Sequence, residues 1–145
     1  VSLDLITEVS LEGLPKRGIS QRTCEKWGYG LGQDRKDAWV QVAPYYEGNE
    51  MVAQKLRYPD KSFKFIGEPK RAGLFGQHLW KDGGKKLVIT EGEIDALTVS
   101  QLQDNKWPVV SVPNGAQGAP KDLAKQLQWL NKFDEVVLMF DNDEP

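Results

Sequence analysis

Residues 87–98 read LVITEGEIDALT, an apolar run that becomes a helical pattern across a single Glu-Gly-Glu. KKLVIT (85–90) follows the Asp82-Gly83-Gly84 turn and is short and apolar, the pattern of a buried strand. EIDALTVSQLQ (93–103) lacks internal Gly and Pro and sets Ile94, Leu97 and Leu102 along one face, so a helix is predicted. The alternation continues downstream. VVSV (109–112) is a second strand entered through Pro108, and PNGAQGAP (113–120) is a flexible loop. KDLAKQLQWL (121–130) is a helix carrying Leu123, Leu127 and Leu130 on one stripe, and VVLMF (136–140) is a third, fully apolar strand. Strand, helix, strand, helix, strand at this spacing predicts a parallel sheet with right-handed crossovers and covering helices.

The first half has another character. ISQRTCEKWG (19–28) reads as a short helix, with Ser20 as N-cap and Gly28 just past the end. AWVQVAPYY (38–46), EMVAQKLRY (50–58) and KSFKFI (61–66) read as strands of a β-ribbon, separated by EGN and PDK turns. Pro44 restricts the first of these to an edge or a bulge. The Gly- and Lys-rich residues 67–84 connect the halves. The fold class expected is α/β, a parallel sheet with flanking helices (85–145) preceded by a small basic α+β subdomain (1–80).

Composition excludes several function classes. With 39% hydrophobic and 28% charged residues among 145, the chain can bury a core and is not a disordered tail. No apolar run approaches the ~20 residues of a spanning helix, so no membrane partner is expected. One cysteine, Cys24, and one histidine, His78, build neither a disulfide framework nor a structural zinc site; both are assigned to packing. Neither a phosphate-loop Gly-x-x-x-x-Gly-Lys-Ser/Thr nor a Gly-x-Gly-x-x-Gly fingerprint occurs. The net charge of −2 is unevenly spread. Residues 1–90 carry 15 basic against 11 acidic side chains, residues 91–145 carry 4 against 10. That asymmetry suits a polyanion on one surface and a cation on another, although on charge alone ordinary solvated surface is the favoured reading.

The acids sit where a parallel sheet binds ligands, beyond the carboxyl ends of its strands. Glu91 follows the first strand of the second half; Asp141 and Asp143 follow the third. If those strands are neighbours, three carboxylates converge. Two such charges ~4 Å apart repel by about 4 kcal/mol at an effective dielectric near 20, so a cation or proton must join them. Hard oxygen donors select Mg²⁺ or Mn²⁺. Gly92 removes a side chain where a phosphate or metal-bound water would approach, and Asp95 points back to the same place if the helix starts early. Each piece has a plainer reading: Glu91 and Glu93 favour the positive end of the helix, Asp-Asn-Asp makes an ordinary turn, and Asp95 is solvated helix surface. Only the joint pattern points to a metal site.

VITEGEIDALT followed by LMFDNDEP resembles the TOPRIM fold of bacterial-type primases, topoisomerases and some nucleases. LPKRGISQRTCEKWGY, VAQKLR, DKSFK and LFGQHLW resemble segments upstream of it in the primase domain of short-tailed phage primase–helicases and their mitochondrial helicase relatives. The resemblance covers about residues 14–144. It implies template-directed synthesis of short RNA primers on single-stranded DNA in phage replication, by a metal-dependent nucleotidyltransferase of the primosome. Glu91, Asp141 and Asp143 would be the catalytic metal ligands, with Asp95 an accessory acid. Lys55 and Lys61, and more weakly Arg57 and Lys64, would face ribonucleoside triphosphates. Alone, each of these cations reads as a solvated strand residue.

The resemblance further implies zinc-binding and helicase domains in the parent chain, which is expected to be longer at both ends because Val1 is not Met and the sheet stops at Pro145. Cys24 fits a reducing compartment, and the expected location is the cytoplasm of the infected host. Two rivals share the same acids: TOPRIM nuclease or topoisomerase cleavage, and a non-catalytic nucleic-acid-binding module. The four tyrosines all precede residue 59, without a motif that would support a topoisomerase nucleophile. Aromatics interleave with the basic ribbon at Trp39, Tyr45, Tyr46, Tyr58, Phe63 and Phe65. Most are expected to form the ribbon's own small core, and some could stack on bases.

Overall fold

The computed structural model describes residues 4–80 and 83–140. It divides at Gly73/Leu74 into two compact units. The first holds α1 (Gln21–Trp27) and the strands β1 (Gly30–Gln33), β2 (Trp39–Glu47), β3 (Glu50–Arg57) and β4 (Phe63–Gly67). These form one antiparallel sheet in the order β1-β2-β3-β4. Helix α1 has the predicted caps. Ser20 Oγ accepts from the Thr23 amide at 3.2 Å, and Gly28 takes the left-handed conformation (φ 71°) with its amide donating to Cys24 O at 2.8 Å. Strand β1, GLGQ, was not anticipated, because its two glycines mask a strand pattern. Gly30 is needed there: an added Cβ would lie 2.1 Å from Ser10 O, whose segment bridges to Leu31.

Pro44 is buried and lies on β2, an inner strand, yet its missing amide does no harm. The β1 pairing runs only from Val42 to Trp39, so Pro44 lies past the end of β1 and one residue before the bulge at Tyr45/Tyr46. The register alternation sorts the sheet into two faces. Val40, Val42 and Leu56 form a buried cluster with Ile6, Val9, Tyr58 and Ile66 packed on it. Gln54, also buried, clamps the N-terminal segment: its Oε1 accepts from Ile6 N at 2.7 Å and its Nε2 donates to Ile6 O at 2.8 Å.

The second unit holds β5 (Gly84–Thr90), α2 (Glu93–Leu102), β6 (Val109–Ser111), α3 (Gly115–Ala124), α4 (Leu127–Leu130) and β7 (Phe133–Met139). Its sheet is parallel throughout, in the order β6-β5-β7. The core joins Leu74, Leu87, Ile89, Val110, Val112, Ala119, Trp129 and Phe133. Trp80 Nε1 donates to Val109 O at 2.8 Å, and Phe75 bridges to Ser111, so residues 74–80 pack with this unit. Among the described residues no helix is long and apolar enough to cross a membrane.

Four expectations differ from the structure. Leu102 does not join the Ile94–Leu97 face and is 80% exposed. At 3.6 residues per turn it sits about 140° round the helix from Leu97, and Ser100 occupies the buried stripe instead. The flexible loop at 113–120 is the start of α3, with Pro120 inside the helix. The expected single helix at 121–130 is broken. Lys125 N reaches Lys121 O only at 3.4 Å, Gln126 N bonds Leu123 O three residues back, and α4 restarts one residue later. That break leaves Leu127 exposed and buries Trp129 edge-on to Phe133, with ring centroids 5.0 Å apart. Strand β7 is not the fully apolar strand expected at 136–140: it runs Phe133–Met139, includes the exposed Asp134 and Glu135, and lies at an edge of the described sheet with Val136, Leu138 and Met139 exposed.

Candidate metal and nucleic-acid site

Strand β5 is the centre of its sheet, and its carboxyl end is shaped by the buried Thr90. The Thr90 Oγ1 donates to Gly92 O at 3.0 Å, closing the chain around Glu91. The same Gly92 carbonyl accepts the first α2 bond, from Ala96 N at 3.2 Å. Thr90 O in turn accepts from Val112 N at 3.2 Å, tying the end of β5 to the segment after β6. Glu91 is half-buried and is the first residue past the strand.

Gly92 is the N-cap of α2, with extended backbone (φ −130°, ψ 162°) that any residue adopts. A Cβ there would meet only the Asp95 Oδ2, at 3.4 Å, so packing does not demand glycine. The same distance shows that Asp95, third residue of the helix, turns its carboxylate back toward the Glu91 turn. Glu93 and Asp95 also lie in the first turn, where acids favour the positive end of the helix dipole, so the plainer reading of both is compatible with this geometry.

Strands β5 and β7 are parallel neighbours with Thr90 opposite Met139. Glu91 follows one partner, and Asp141 comes two residues after the other in sequence. Asp141 and Asp143 themselves lie outside the described residues, and among the described residues no three His, Cys, Asp or Glu side chains could hold a metal ion. Glu91 and Asp95 offer only oxygen donors, the chemistry that suits a hard divalent cation and not a soft one. Ser111, level with Thr90 at the end of β6, is buried, and its Oγ has no partner among the described residues.

The structure distributes the four candidate cations of the first unit. Lys55 and Arg57 share one face of β3, with Lys55 opposite Phe65 and Arg57 opposite Phe63 on β4. The Lys55 Nζ lies 4.3 Å from the Phe63 ring centroid and 5.7 Å from that of Phe65. Lys61 is exposed in the β3–β4 turn, where its φ of 74° is the left-handed conformation and its amide donates to Tyr58 O. Lys64, paired with Leu56, faces the other side of the sheet, where its charge acts on Asp34. The four cations therefore do not form a single patch.

Charge counted along the sequence also overstates the basic surface. Arg71 is committed to Glu68 (2.8 Å), Glu47 (2.9 Å) and Glu50 (3.2 Å), which hold its guanidinium protonated still more firmly than usual. Asp34 is held below the usual carboxylate range, first by the Tyr58 hydroxyl at 2.7 Å and then by the Ala38 amide. Burial pushes the Cys24 thiol up, which keeps it protonated and supports its packing role. Sequence reasoning missed Thr90 as the residue that shapes the acidic turn; its only signal was a hydroxyl ending an apolar run.

Known proteins are similar to this chain along most of its length. Residues 10–67 match the family described as "Bacteriophage T7 DNA helicase/primase, N-terminal a+b fold", and residues 88–145 match the family described as "Toprim-like". The DNA helicase/primase of Enterobacteria phage T3 is 49% identical over 132 residues, covering 90% of this chain and 23% of the T3 protein. The crystal structure of the bacteriophage T7 primase fragment superposes with a TM-score of 0.87 at 47% identity, covering 94% of this chain and 56% of that one. A second T7 structure shows the lagging-strand DNA polymerase interacting with primase domains bound to an RNA/DNA hybrid and dTTP. It superposes with a TM-score of 0.86 at 47% identity and covers 94% of this chain and 69% of that one. The chain thus spans about a quarter of its T3 relative and just over half of the T7 primase fragment. A basic antiparallel unit followed by a Toprim-like parallel sheet, matched along nine-tenths of its length, places this chain in the primase-domain family of phage primase–helicases.

Proposed function

We propose that this chain is the catalytic core of a DNA primase, which makes short RNA primers on single-stranded DNA during phage replication. The observation that carries the reading is the register of β5 against β7. The strand leading to Glu91 and the strand leading to Asp141 and Asp143 are adjacent and parallel. In this reading Glu91, Asp141 and Asp143 hold Mg²⁺ or Mn²⁺, and Asp95 supports them from the first turn of α2. When bound, the metal neutralises charge developing around the reacting phosphate. Glu91 is presented for that role on a backbone turn that the Thr90–Gly92 hydrogen bond closes. Lys55 and Lys61 neutralise and orient the triphosphate of the incoming ribonucleotide, so that a 3′-hydroxyl is placed for attack. Work is divided accordingly: nucleotide and template contacts fall to the basic unit, which ends at Gly73, and metal chemistry to the Toprim-like unit, which starts at Leu74.

The parent protein would supply a zinc-binding module for template choice and a helicase, and would act in the cytoplasm of an infected bacterium. The T7 assembly, in which primase domains hold an RNA/DNA hybrid beside a polymerase, is the pattern for delivery of the product. The test uses the chain extended to the length of the T7 primase fragment, with labelled ribonucleotides, Mg²⁺ and single-stranded DNA. Labelled oligoribonucleotides are expected, and Glu91→Gln and Asp141→Asn should each reduce them at least a hundredfold. Undiminished product in both variants would refute the assignment. Plasmid nicking that needs metal but no nucleotides would replace it with cleavage chemistry.

A further inference from the structure

The antiparallel sheet leaves two large aromatic rings in water on one face. Trp39 is 61% exposed and Phe63 is 52% exposed, although both are strand residues with the option of packing inward. Both lie on the face that carries Lys55 and Arg57. Gln41, Arg57 and Phe63 are register neighbours across β2, β3 and β4, and Trp39 is two residues from Gln41 on the same side. The edge-on contact between Tyr45 and Phe65, 5.4 Å between centroids, confirms that the odd-numbered residues of β2 share this face with Phe65. Ordinary strand spacing and rise put the Trp39 and Phe63 backbones roughly 12 Å apart, with Arg57 on the strand between them.

Three cations lie on or beside this face at this end of the sheet, with Asp60 sharing the Lys61 turn and Asp37 two residues before Trp39. Lys55 and Arg57 project here and Lys61 caps the adjoining turn. Other acids of the sheet are engaged away from this end. Glu47, Glu50 and Glu68 surround Arg71 at the far end of the β2–β3 hairpin, and Asp34 lies against Tyr58 on the opposite face. Asp60, in the same turn as Lys61, accepts from Ser62. An apolar peptide would gain from the rings but leave the cations unmatched. Nucleobases joined by phosphates match both.

From this geometry we infer that Trp39 and Phe63 form a two-ring platform on which consecutive or near-consecutive bases of single-stranded DNA stack, while Arg57 bridges the intervening phosphate. The inference rests on the primase reading for its choice of strand, and it assigns to that strand two residues outside the metal site. Lys55 lies over the Phe63 ring from the Phe65 side and helps to hold it in place. The platform needs neither metal nor catalysis.

The test measures binding of fluorescein-labelled oligodeoxythymidylate to the 145-residue chain by anisotropy, in EDTA, over a range of salt. Trp39→Ala and Phe63→Ala should each weaken binding about five- to a hundredfold, the range that alanine gives at stacked bases. Both side chains are exposed, and circular dichroism checks that each variant folds. Trp39→Phe should restore most of the affinity. The salt slope should stay unchanged in the ring variants and fall by about 0.7 in Arg57→Ala, the value for one phosphate on a single strand. Wild-type affinity in both ring variants would overturn the platform. So would an equal loss when free dTTP is the ligand, since that places the rings at the incoming nucleotide. Glu91→Gln should bind the oligonucleotide normally; in the wild-type chain extended to the length of the T7 primase fragment, a primase assay that fails while strand binding and its ring dependence persist would sink the catalytic reading and leave the platform standing.

Discussion

Replacing Thr90 by Val tests whether the acidic turn is held by one hydroxyl. The side chain is buried at the end of β5, and its Oγ1 bonds Gly92 O at 3.0 Å across Glu91. Losing a typical hydrogen bond costs about 0.5–1.5 kcal/mol net. The cost here falls at the low end, because Gly92 O still accepts from Ala96 N and is not orphaned. Exchanging the hydroxyl for a buried methyl returns up to about 0.8 kcal/mol. The two terms nearly cancel, so thermal unfolding of Thr90→Val should stay within about 1 kcal/mol of the parent. Metal binding should not be spared. With the bond gone, Glu91 must be ordered when the ion arrives, and about 1 kcal/mol of lost preorganisation is roughly a fivefold loss of affinity. Mn²⁺ titration followed by electron paramagnetic resonance reads this directly. Thr90→Ser keeps the donor and should bind Mn²⁺ like the parent, while Glu91→Gln should bind far more weakly. Unchanged Mn²⁺ affinity in Thr90→Val would refute the positioning role. A large loss of stability would show that the hydroxyl holds the sheet rather than the turn.

Two further outcomes follow from the first unit. Gln54→Leu removes both bonds to the Ile6 backbone and should cost about 2 kcal/mol. Hydrogen exchange at the Ile6 amide should accelerate more than at the β2–β3 ladder, and unchanged exchange there would exclude the clamp. Asp34 has its folded pKa depressed, chiefly by the Tyr58 hydroxyl, so it contributes stability above its unfolded value near 4, and that contribution is lost as pH falls through the folded value. Acid titration of unfolding should therefore be less steep in Asp34→Asn than in the parent as the pH falls below about 4. Identical acid limbs would remove Asp34 from the account.

Local chemistry is strong where one or two residues decide it, and those features were legible in the sequence. Ser20 and Gly28 bracket α1 because a cap needs one acceptor side chain and one residue free to take positive φ. The three parallel strands and α2 showed through apolar runs cut by Gly, Pro and acids, and the family's motif at 88–145 belongs to that same pattern. The sequence also located Glu91 at a strand end. Other features depended on neighbours that no local pattern contains. GLGQ becomes a strand only because Val42 to Trp39 lie beside it and Ser10 approaches Gly30 too closely for any Cβ. Leu127 loses the core to Trp129 because the chain breaks at 125–126, and β7 stays half-exposed because it lies at an edge. The same holds for the cations. Lys55, Arg57, Lys61 and Lys64 look alike along the chain, but pleating sends Lys64 to the opposite face and leaves Trp39 and Phe63 beside the others. Sequence alone determined which side chains exist and where each element starts to form. Tertiary structure decided which of them share a surface, because register and burial are set by contacts between residues distant along the chain.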